Sequence, residues 1–238
     1  MSDTPFNSGI ILYDAALGGT PDGQGKLIYR DSRAAAATQS FVDGATTLDT
    51  MANQADAAGY FANPRALPAL DRQRGYALRF RVQLVEEYHA DSDKDADGVG
   101  DRAGFSVIAL SSDTKGIEIG FWKDQVWAQE QGDAEPPAGT LFTRAESAAF
   151  DTSSALVDYT LVVRGDEYQL SGDGGSILRG RLRDYTSFEG PVNPYRTPNF
   201  IFLGDDTGSA RAVIRLAYVA LMTDDEGPTT NDGAADHD

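Results

Sequence analysis

Apolar and polar residues alternate with a period of two wherever the chain has a readable pattern. In "YALRFRVQLVEEYH" an apolar side chain occupies every second position from Tyr76 to Leu84, and arginine or glutamine fills most of the positions between them. The segment "RAVIRLAYVALM" at 211–222 repeats this alternation. The pattern predicts β-strands that bury one face and expose the other to solvent.

Shorter segments of strand character follow one another along the chain, separated by glycine, proline and aspartate residues. They read "GIILYD", "KLIYR", "TQSFVD", "AGFSVIAL", "GIEIGFW", "QVWAQE" and "NFIFLG", and "YTLVVRGDEYQLSGDGGSILRG" reads as three strands joined by two turns. No stretch of comparable length has an apolar stripe of helical period. Many short strands without helices predict an all-β protein in which two antiparallel sheets form a sandwich.

The composition supports one substantial core. The chain has 238 residues, of which 41% are hydrophobic, and we expect a single β-sandwich domain over residues 1–222. From Asp224 onward the chain has no apolar residue larger than alanine and carries several acids. Such a segment cannot offset its ordering entropy by burial, so residues 223–238 are predicted to form a flexible acidic tail or a linker.

The charge balance argues against two classes of partner. Lys and Arg number 20 and Asp and Glu number 37, which gives a net charge of −17. This surface repels nucleic acid and anionic membrane surfaces. The apolar runs are also much shorter than the ~20 residues that cross a bilayer, so we expect no membrane insertion.

The chain has no cysteine, which excludes disulfides, thiolate metal sites and a cysteine nucleophile. No charged and then apolar leader follows Met1. If the protein is exported, we therefore expect the signal to lie outside this sequence. The sequence indicates no oligomeric state.

The segment "DSDKDADGVGDR" at 91–102, the aspartate loop, has an aspartate at alternate positions. Carboxylate and carbonyl oxygens at this spacing, with a glycine at the turn, are suited to calcium. The predicted calcium ligands are the side chains of Asp91, Asp93, Asp95, Asp97 and Asp101 and the carbonyl of Val99. The loop resembles the calcium loops of thrombospondin type 3 repeats and, in part, EF-hand loops, although Gly104 stands where an EF-hand has glutamate. The alternative is a solvated acidic loop between two strands.

A hairpin is predicted in "GIEIGFWKDQVWAQ". A two-residue loop at Asp124 and Gln125 would place Trp122 opposite Trp127, with Glu118 and Gln129 on the same face. Exposed indoles beside a carboxylate and an amide would form a platform for a sugar, so these four residues are predicted to bind a polysaccharide or other glycan. In the alternatives, both tryptophans belong to the core, or a three-residue loop shifts the pairing.

Sequence motifs of catalysis are scarce. The histidines are His89 and His237, and no GxSxG elbow or E-x-D-x-E-like run is present. Glu118 could pair with a carboxylate of another strand, such as Glu86 or Asp205, but the spacing does not establish this. We therefore assign no catalytic residue and expect no enzyme activity.

A family resemblance rests on a set of segments in order along the chain. These are "LYDAALGGTPDGQGKLIY", "TTLDTMANQADAAGYF", "DRQRGYALRFRVQL", "DRAGFSVIALSSDTKGIEIGFWKDQVWAQ", "LRDYTSF" and "TPNFIFLGDDTGSARAVIRLAYVAL". Over about residues 9–222 the chain resembles bacterial "choice-of-anchor" surface domains of the concanavalin A-like lectin/glucanase superfamily. The resemblance implies a jelly-roll sandwich, secretion or a cell-surface location, and often a C-terminal sorting segment. It carries no catalytic residues.

Together these observations favour a non-catalytic, extracellular jelly-roll module that binds calcium and, as one option, carbohydrate. Two alternatives remain open. One is a polysaccharide-active glycoside hydrolase or lyase, and the other is a structural surface or matrix protein without a glycan ligand.

Overall fold

Two antiparallel β-sheets make up the regular structure. The computed structural model describes residues 6, 8–31, 36–53, 56–89, 93–132, 141–190 and 193–224, and fifteen strands lie within these ranges. Two short 3-10 helices, Ala15–Leu17 and Asp22–Gln24, follow the first strand. All pairings between the described strands are antiparallel.

The eight-stranded sheet has the order β13-β12-β11-β6-β15-β4-β3, and β1 also pairs with β15. Its strands are β1 Ser8–Asp14, β3 Thr38–Val42, β4 Ala45–Asp49, β6 Tyr76–His89, β11 Val157–Arg164, β12 Glu167–Gly172, β13 Gly175–Arg181 and β15 Ala210–Thr223. The two long strands β6 and β15, whose alternation is clearest in the sequence, pair along most of their length at its centre.

The seven-stranded sheet has the order β10-β9-β8-β7-β14-β5-β2. Its strands are β2 Leu27–Asp31, β5 Ala58–Ala62, β7 Ser106–Leu110, β8 Gly116–Phe121, β9 Gln125–Gln129, β10 Arg144–Ala149 and β14 Phe200–Asp205. Residues of β7 and β8 are buried on both faces. The inner face packs against the other sheet, and loops cover much of the outer face.

The main core lies between the two sheets. From β6 it receives the alternate residues predicted by the sequence, and β8 contributes Ile117, Ile119 and Phe121. The ring of Phe80 stacks on Tyr159 with a centroid distance of 5.1 Å. These features confirm the predicted all-β fold, a two-sheet antiparallel jelly-roll sandwich of the concanavalin A-like type.

Three strands lack the alternation of apolar and polar residues and are not predicted from the sequence. They are β4, β5 and β10, whose sequences "ATTLD", "AGYFA" and "RAESAA" are short and rich in alanine, glycine or threonine. Residues of β5 are buried on both faces apart from Phe61, so the strand has no polar side to alternate with. Pairing with neighbouring strands, rather than its own composition, determines that β5 is extended.

A second layer of side chains covers the outer face of the seven-stranded sheet. Ile108 and Leu110 of β7 pack there against four loop residues, Leu141, Phe142, Tyr185 and Tyr195. This layer is incomplete, and the uncovered part of the sheet forms the cleft described below.

The described residues contain no helix long and apolar enough to cross a membrane. The predicted flexible tail lies almost wholly outside the described residues, which end at position 224. The boundary of a single domain at residue 222 stays a prediction.

Candidate functional site

An open cleft of about 730 Å³ lies on the outer face of the seven-stranded sheet. Side chains of β5, β7, β8, β9 and β14 form its floor, and the loops at 102–103, 193–195 and 205–209 contribute to its walls. This volume lies within the ~300–1,000 Å³ typical of ligand pockets. The cleft is therefore the main candidate for a ligand site among the described residues.

Glu118 lies in the floor of this cleft, on the central strand β8. The residue is only 2% exposed. The Tyr195 hydroxyl donates a hydrogen bond to its Oε2 atom at 2.5 Å. The backbone N–H of Glu118 donates to the Tyr185 hydroxyl at 3.3 Å, and that hydroxyl donates to the carbonyl of Gln129 at 2.8 Å. Two tyrosines from one loop region thus fix the carboxyl group and its strand.

The carboxyl group of Glu118 is hydrogen-bonded to that of Asp206, and we call these two residues the carboxyl pair. Burial raises the pKa of Glu118 well above its usual range, and the negative charge of Asp206 raises it further. Two carboxyl groups in contact cannot both be ionised at low cost. The raised pKa of Glu118 therefore favours a state in which the two carboxyl groups share one proton.

Asp206 is the member of the pair that faces solvent, because its side chain is open to the water of the cleft. Protein surrounds it on its other sides, and this burial raises its pKa as well. The charge of Arg102 and hydrogen bonds from Glu118 and Ser106 oppose that rise. Of the two carboxyl groups, Glu118 therefore has the more strongly raised pKa.

The two carboxylates that the sequence suggests as partners of Glu118, Glu86 and Asp205, are not its partners in the structure. Glu86 lies on β6 in the other sheet. Asp205 lines the cleft but is 0% exposed, and its carboxylate accepts hydrogen bonds from the Thr50 hydroxyl at 2.8 Å and the Thr207 N–H at 3.1 Å. The strand β14 ends at Asp205, and the chain turns there so that the following aspartate reaches Glu118.

The positive charge of Arg102 acts on the carboxyl pair, because it lowers the pKa of both Glu118 and Asp206. Its guanidinium lies over the Phe142 ring, 5.3 Å from the centroid, and donates to the Phe142 carbonyl at 3.3 Å. These contacts fix the cation beside the cleft without a direct ion pair to either carboxylate.

The predicted tryptophan platform is wrong, because Trp122 is 8% and Trp127 is 0% exposed. The hairpin loop is Lys123–Asp124, so that Trp122 pairs with Gln125 and Gly120 stands opposite Trp127. The strand pairing is shifted by two positions from the predicted register, so both indoles stay on the predicted face of the hairpin.

Side chains of neighbouring strands pack over the two tryptophans and shield them from solvent. The Arg144 guanidinium lies 4.7 Å from the Trp122 ring centroid and 5.0 Å from that of Trp127. His89 stacks on Trp122 at 4.1 Å, which removes this histidine from any catalytic role in the cleft. The Trp122 indole N–H donates to the carbonyl of Arg102 at 2.9 Å. His237 lies outside the described residues.

Gln129 and Glu118, the polar members of the predicted glycan site, both line the cleft. The Gln129 side-chain amide donates to the carbonyl of Asp101 at 3.3 Å. Its Oε1 atom is buried and has no hydrogen-bond partner among the described residues.

In the aspartate loop, Asp93, Asp95 and Asp101 can each bring one carboxylate oxygen within 4.8 Å of the others. Asp101 is 1% exposed and accepts from the N–H groups of Lys94 and Arg144 at 2.7 and 3.0 Å.

The other predicted side-chain ligands lie outside this cluster of three. The carboxylate of Asp97 accepts a hydrogen bond from the N–H of Val99 at 2.8 Å. Asp91 lies outside the described residues. The three converging carboxylates fit a hard divalent cation, with the remaining ligands to come from backbone oxygens or water.

Comparisons with known proteins agree with the fold. No protein-family model matches the sequence, and a comparison with curated proteins also gives no match. The chain is similar in structure to a conserved carbohydrate esterase from the Shiga toxin-encoding bacteriophage phi24B, with 15% identity over 92% of this chain and 100% of that chain and a TM-score of 0.57.

Two further solved structures are similar. For the Crh5 transglycosylase in complex with NAG, the TM-score is 0.54 at 13% identity over 93% of this chain and 86% of that chain. For a protein of unknown function with a galectin-like fold from Bacillus subtilis, the TM-score is 0.51 at 10% identity over 92% of this chain and 98% of that chain. At these identities the likeness establishes the class of fold, a jelly-roll sandwich of concanavalin A-like type.

These findings contradict the expectation that the chain is not an enzyme. Two of the three structures named above are described as enzymes, an esterase and a transglycosylase, and the cleft holds a hydrogen-bonded carboxyl pair where the sequence predicts no catalytic residue. The choice-of-anchor assignment stays a prediction.

Asp206, Tyr195 and Arg102 were missed because they lie in loops, where no periodicity relates them to Glu118. One signal was available for Asp206. The apolar strand "NFIFLG" ends directly in two aspartates, and a carboxylate at the end of a buried strand is a common position for a functional group.

Proposed function

We propose that this protein is a carbohydrate-active enzyme that cleaves glycosidic bonds by acid–base and nucleophilic catalysis. The observation that carries the proposal is the hydrogen bond between the carboxyl groups of Glu118 and Asp206 in the floor of an open cleft. A pair in which one carboxyl is protonated and the other ionised supplies both groups that glycoside cleavage requires.

Glu118 is suited to be the general acid, because burial and the neighbouring carboxyl group raise its pKa and so favour its protonated form. In the first step it would donate its proton to the glycosidic oxygen while the Asp206 carboxylate attacks the anomeric carbon, and the bond to the leaving sugar breaks. In the second step Glu118, now ionised, would take a proton from water, and that water would displace Asp206 from the sugar.

The spacing of the pair favours retention of configuration. Retaining glycosidases have carboxyl groups ~5–5.5 Å apart, whereas inverting enzymes need ~6.5–9.5 Å for an intervening water. Two directly hydrogen-bonded carboxyl groups are closer than either value. A substrate must therefore break this hydrogen bond, and the shorter of the two spacings requires the smaller displacement of Asp206 on its loop.

The charge around the pair favours an uncharged sugar at the reacting position. Among the described residues that line the cleft, four are acids, Asp31, Glu118, Asp205 and Asp206, and two are arginines, and the whole chain carries a charge of −17. None of these described lining residues is a lysine or a histidine. A lyase acting on uronic acids would need cations to neutralise the substrate carboxylate, so hydrolysis or transfer on a neutral glycan is the better candidate.

The test is release of reducing sugar from a panel of neutral and uronate-containing polysaccharides. We expect release from at least one neutral glycan, with retained anomeric configuration by proton NMR. Glu118→Gln is expected to lower the rate by ~10²–10⁴-fold, because it removes the general acid.

The matched control is Glu86→Gln, which neutralises an exposed glutamate on the other sheet and is expected to leave the rate unchanged. Activity that survives Glu118→Gln, or a wild-type protein inert on the whole panel, would contradict the proposal.

We also propose that the aspartate loop binds calcium. The convergence of Asp93, Asp95 and Asp101 supports this, and the shielding of Asp101 gives the site one fixed ligand. Asp101 directly precedes Arg102, so a cation here would order the segment that brings the arginine to the cleft. Extracellular calcium modules bind with dissociation constants of ~10⁻⁴–10⁻³ M, and a secreted or cell-surface location, predicted from the family resemblance, would suit a site of this affinity.

A further inference from the structure

The floor of the cleft has an apolar half that glycoside cleavage does not use. Phe61 on β5 pairs with Phe202 on β14, Phe202 pairs with Ile108 on β7, and Ile108 pairs with Glu118 on β8. Directly paired residues of antiparallel strands project to the same face. Phe61, Phe202 and Ile108 thus form one row, the apolar strip, which begins beside the carboxyl pair and lies within the lining of the cleft.

The strip is long enough to hold a substituent as well as to floor a sugar site. Adjacent strands are ~4.8 Å apart, so the three steps from Glu118 to Phe61 span about 14 Å. Phe61 and Phe202 are half-buried, whereas Ile108 is 1% exposed. The far end is marked by Arg30, whose guanidinium carbon lies 5.8 Å from the centroid of the Phe61 ring.

Two glycines allow the strip to lie flat. Gly59 and Gly204 pair with each other beside it. A Cβ atom on Gly59 would lie 2.6 Å from the Phe202 ring, and one on Gly204 would lie 2.4 Å from the Cα of Gly59. Side chains at either position would displace the Phe202 ring or separate the strands.

The chemistry of the strip differs from that of a sugar site. Polar groups suited to hydroxyls, such as Ser106 and Gln129, lie toward the carboxyl pair, whereas the strip itself offers no donor or acceptor. A sugar hydroxyl held against it would lose its hydrogen bonds to water without replacement. An alkyl, acyl or aryl group would instead gain from leaving water there.

We propose that the substrate is a glycan or glycoside with an apolar substituent, whose sugar lies at the carboxyl pair and whose substituent lies along the half-buried rings of Phe61 and Phe202. This inference rests on the proposed function for the placement of the sugar. A small ligand fits better than a protein partner, because the cleft volume of about 730 Å³ is that of a small-molecule pocket and stable protein interfaces bury ~1,200–2,000 Å².

The experiment compares octyl and methyl β-D-glucopyranoside by isothermal titration calorimetry, below the concentration at which the octyl compound forms micelles. Each buried methylene contributes about fourfold in affinity, so three of them give on the order of 50-fold tighter binding of the octyl compound. Phe61→Ser is expected to reduce this ratio at least about fivefold. Phe41→Ser is the matched control, since Phe41 is an exposed phenylalanine on β3 of the other sheet.

Equal affinity of the two glucosides, no binding of either, or a ratio that Phe61→Ser leaves unchanged would overturn the inference. Because the measurement needs no turnover, the ratio should persist in Glu118→Gln. A persisting ratio in a protein that cleaves no glycan would refute the proposed function alone, whereas cleavage without a ratio would refute only the apolar strip.

Discussion

At the scale of single residues, the site depends on carboxyl groups whose surroundings give them different tasks. Glu118 is buried beneath two tyrosines, and Asp206 faces the water of the cleft. The neighbouring Asp205 is turned inward and held by Thr50. The sequence shows two adjacent aspartates and cannot assign one to the interior and the other to the cleft, because that depends on where β14 ends.

Asp205 gives a prediction for stability. Burial raises its pKa well above the usual range. A raised folded-state pKa means that the folded protein binds a proton more tightly than the unfolded chain, so stability falls as pH rises from about 4 through the raised pKa. Asp205→Asn removes this charge while it keeps the shape of the side chain.

We therefore expect the stability of Asp205→Asn relative to wild type to increase between pH 4 and pH 7, so that its free energy of unfolding rises by ~1.4 kcal/mol per unit of pKa rise. Urea unfolding at the two pH values measures this difference. Asp158→Asn, at an exposed ion pair with Arg81, is the control and should show little pH-dependent gain. A relative loss of stability at pH 7 would contradict the assignment.

At the scale of elements, the sequence predicts faces better than it predicts what covers them. Alternation correctly places Trp122, Trp127, Glu118 and Gln129 on one face of the β8–β9 hairpin. It cannot show that Arg144, from β10, and His89, from the end of β6, lie over the indoles. The local sequence therefore predicts the direction of a side chain, and tertiary packing determines its exposure.

The aspartate loop is the other element with a testable role. With calcium tenfold above its dissociation constant, linkage adds ~1.4 kcal/mol to the free energy of unfolding. For a domain of this size that corresponds to a rise in Tm of roughly 3–6 °C over the value in chelator. Differential scanning calorimetry measures the shift.

Asp93→Ala should abolish the calcium-dependent rise, because Asp93 is one of the three converging carboxylates. Asp113→Ala, in an exposed turn that pairs with Arg72, is the control and should keep the rise. A Tm that is the same with calcium and with chelator would rule out the calcium site.

At the scale of the whole molecule, the sequence predicts the sandwich and fails to predict the cleft. Period-two alternation in β6 and β15 is strong enough to establish the fold class, because each strand buries a full face of apolar side chains. The cleft is assembled from strands and loops that are distant in sequence. Glu118 and Asp206 are 88 positions apart by their numbers, and no local pattern connects them.

The proposed mechanism requires Glu118 and Asp206 to share one proton near neutral pH. Carbon-13 NMR of the side-chain carboxyl groups across a pH titration measures this directly. We predict that the pair titrates in two separate steps, with the upper step well above the ordinary range, and that Glu118→Gln removes that upper step. Independent titration of both carboxyl groups near ~4, as for exposed side chains, would contradict the account.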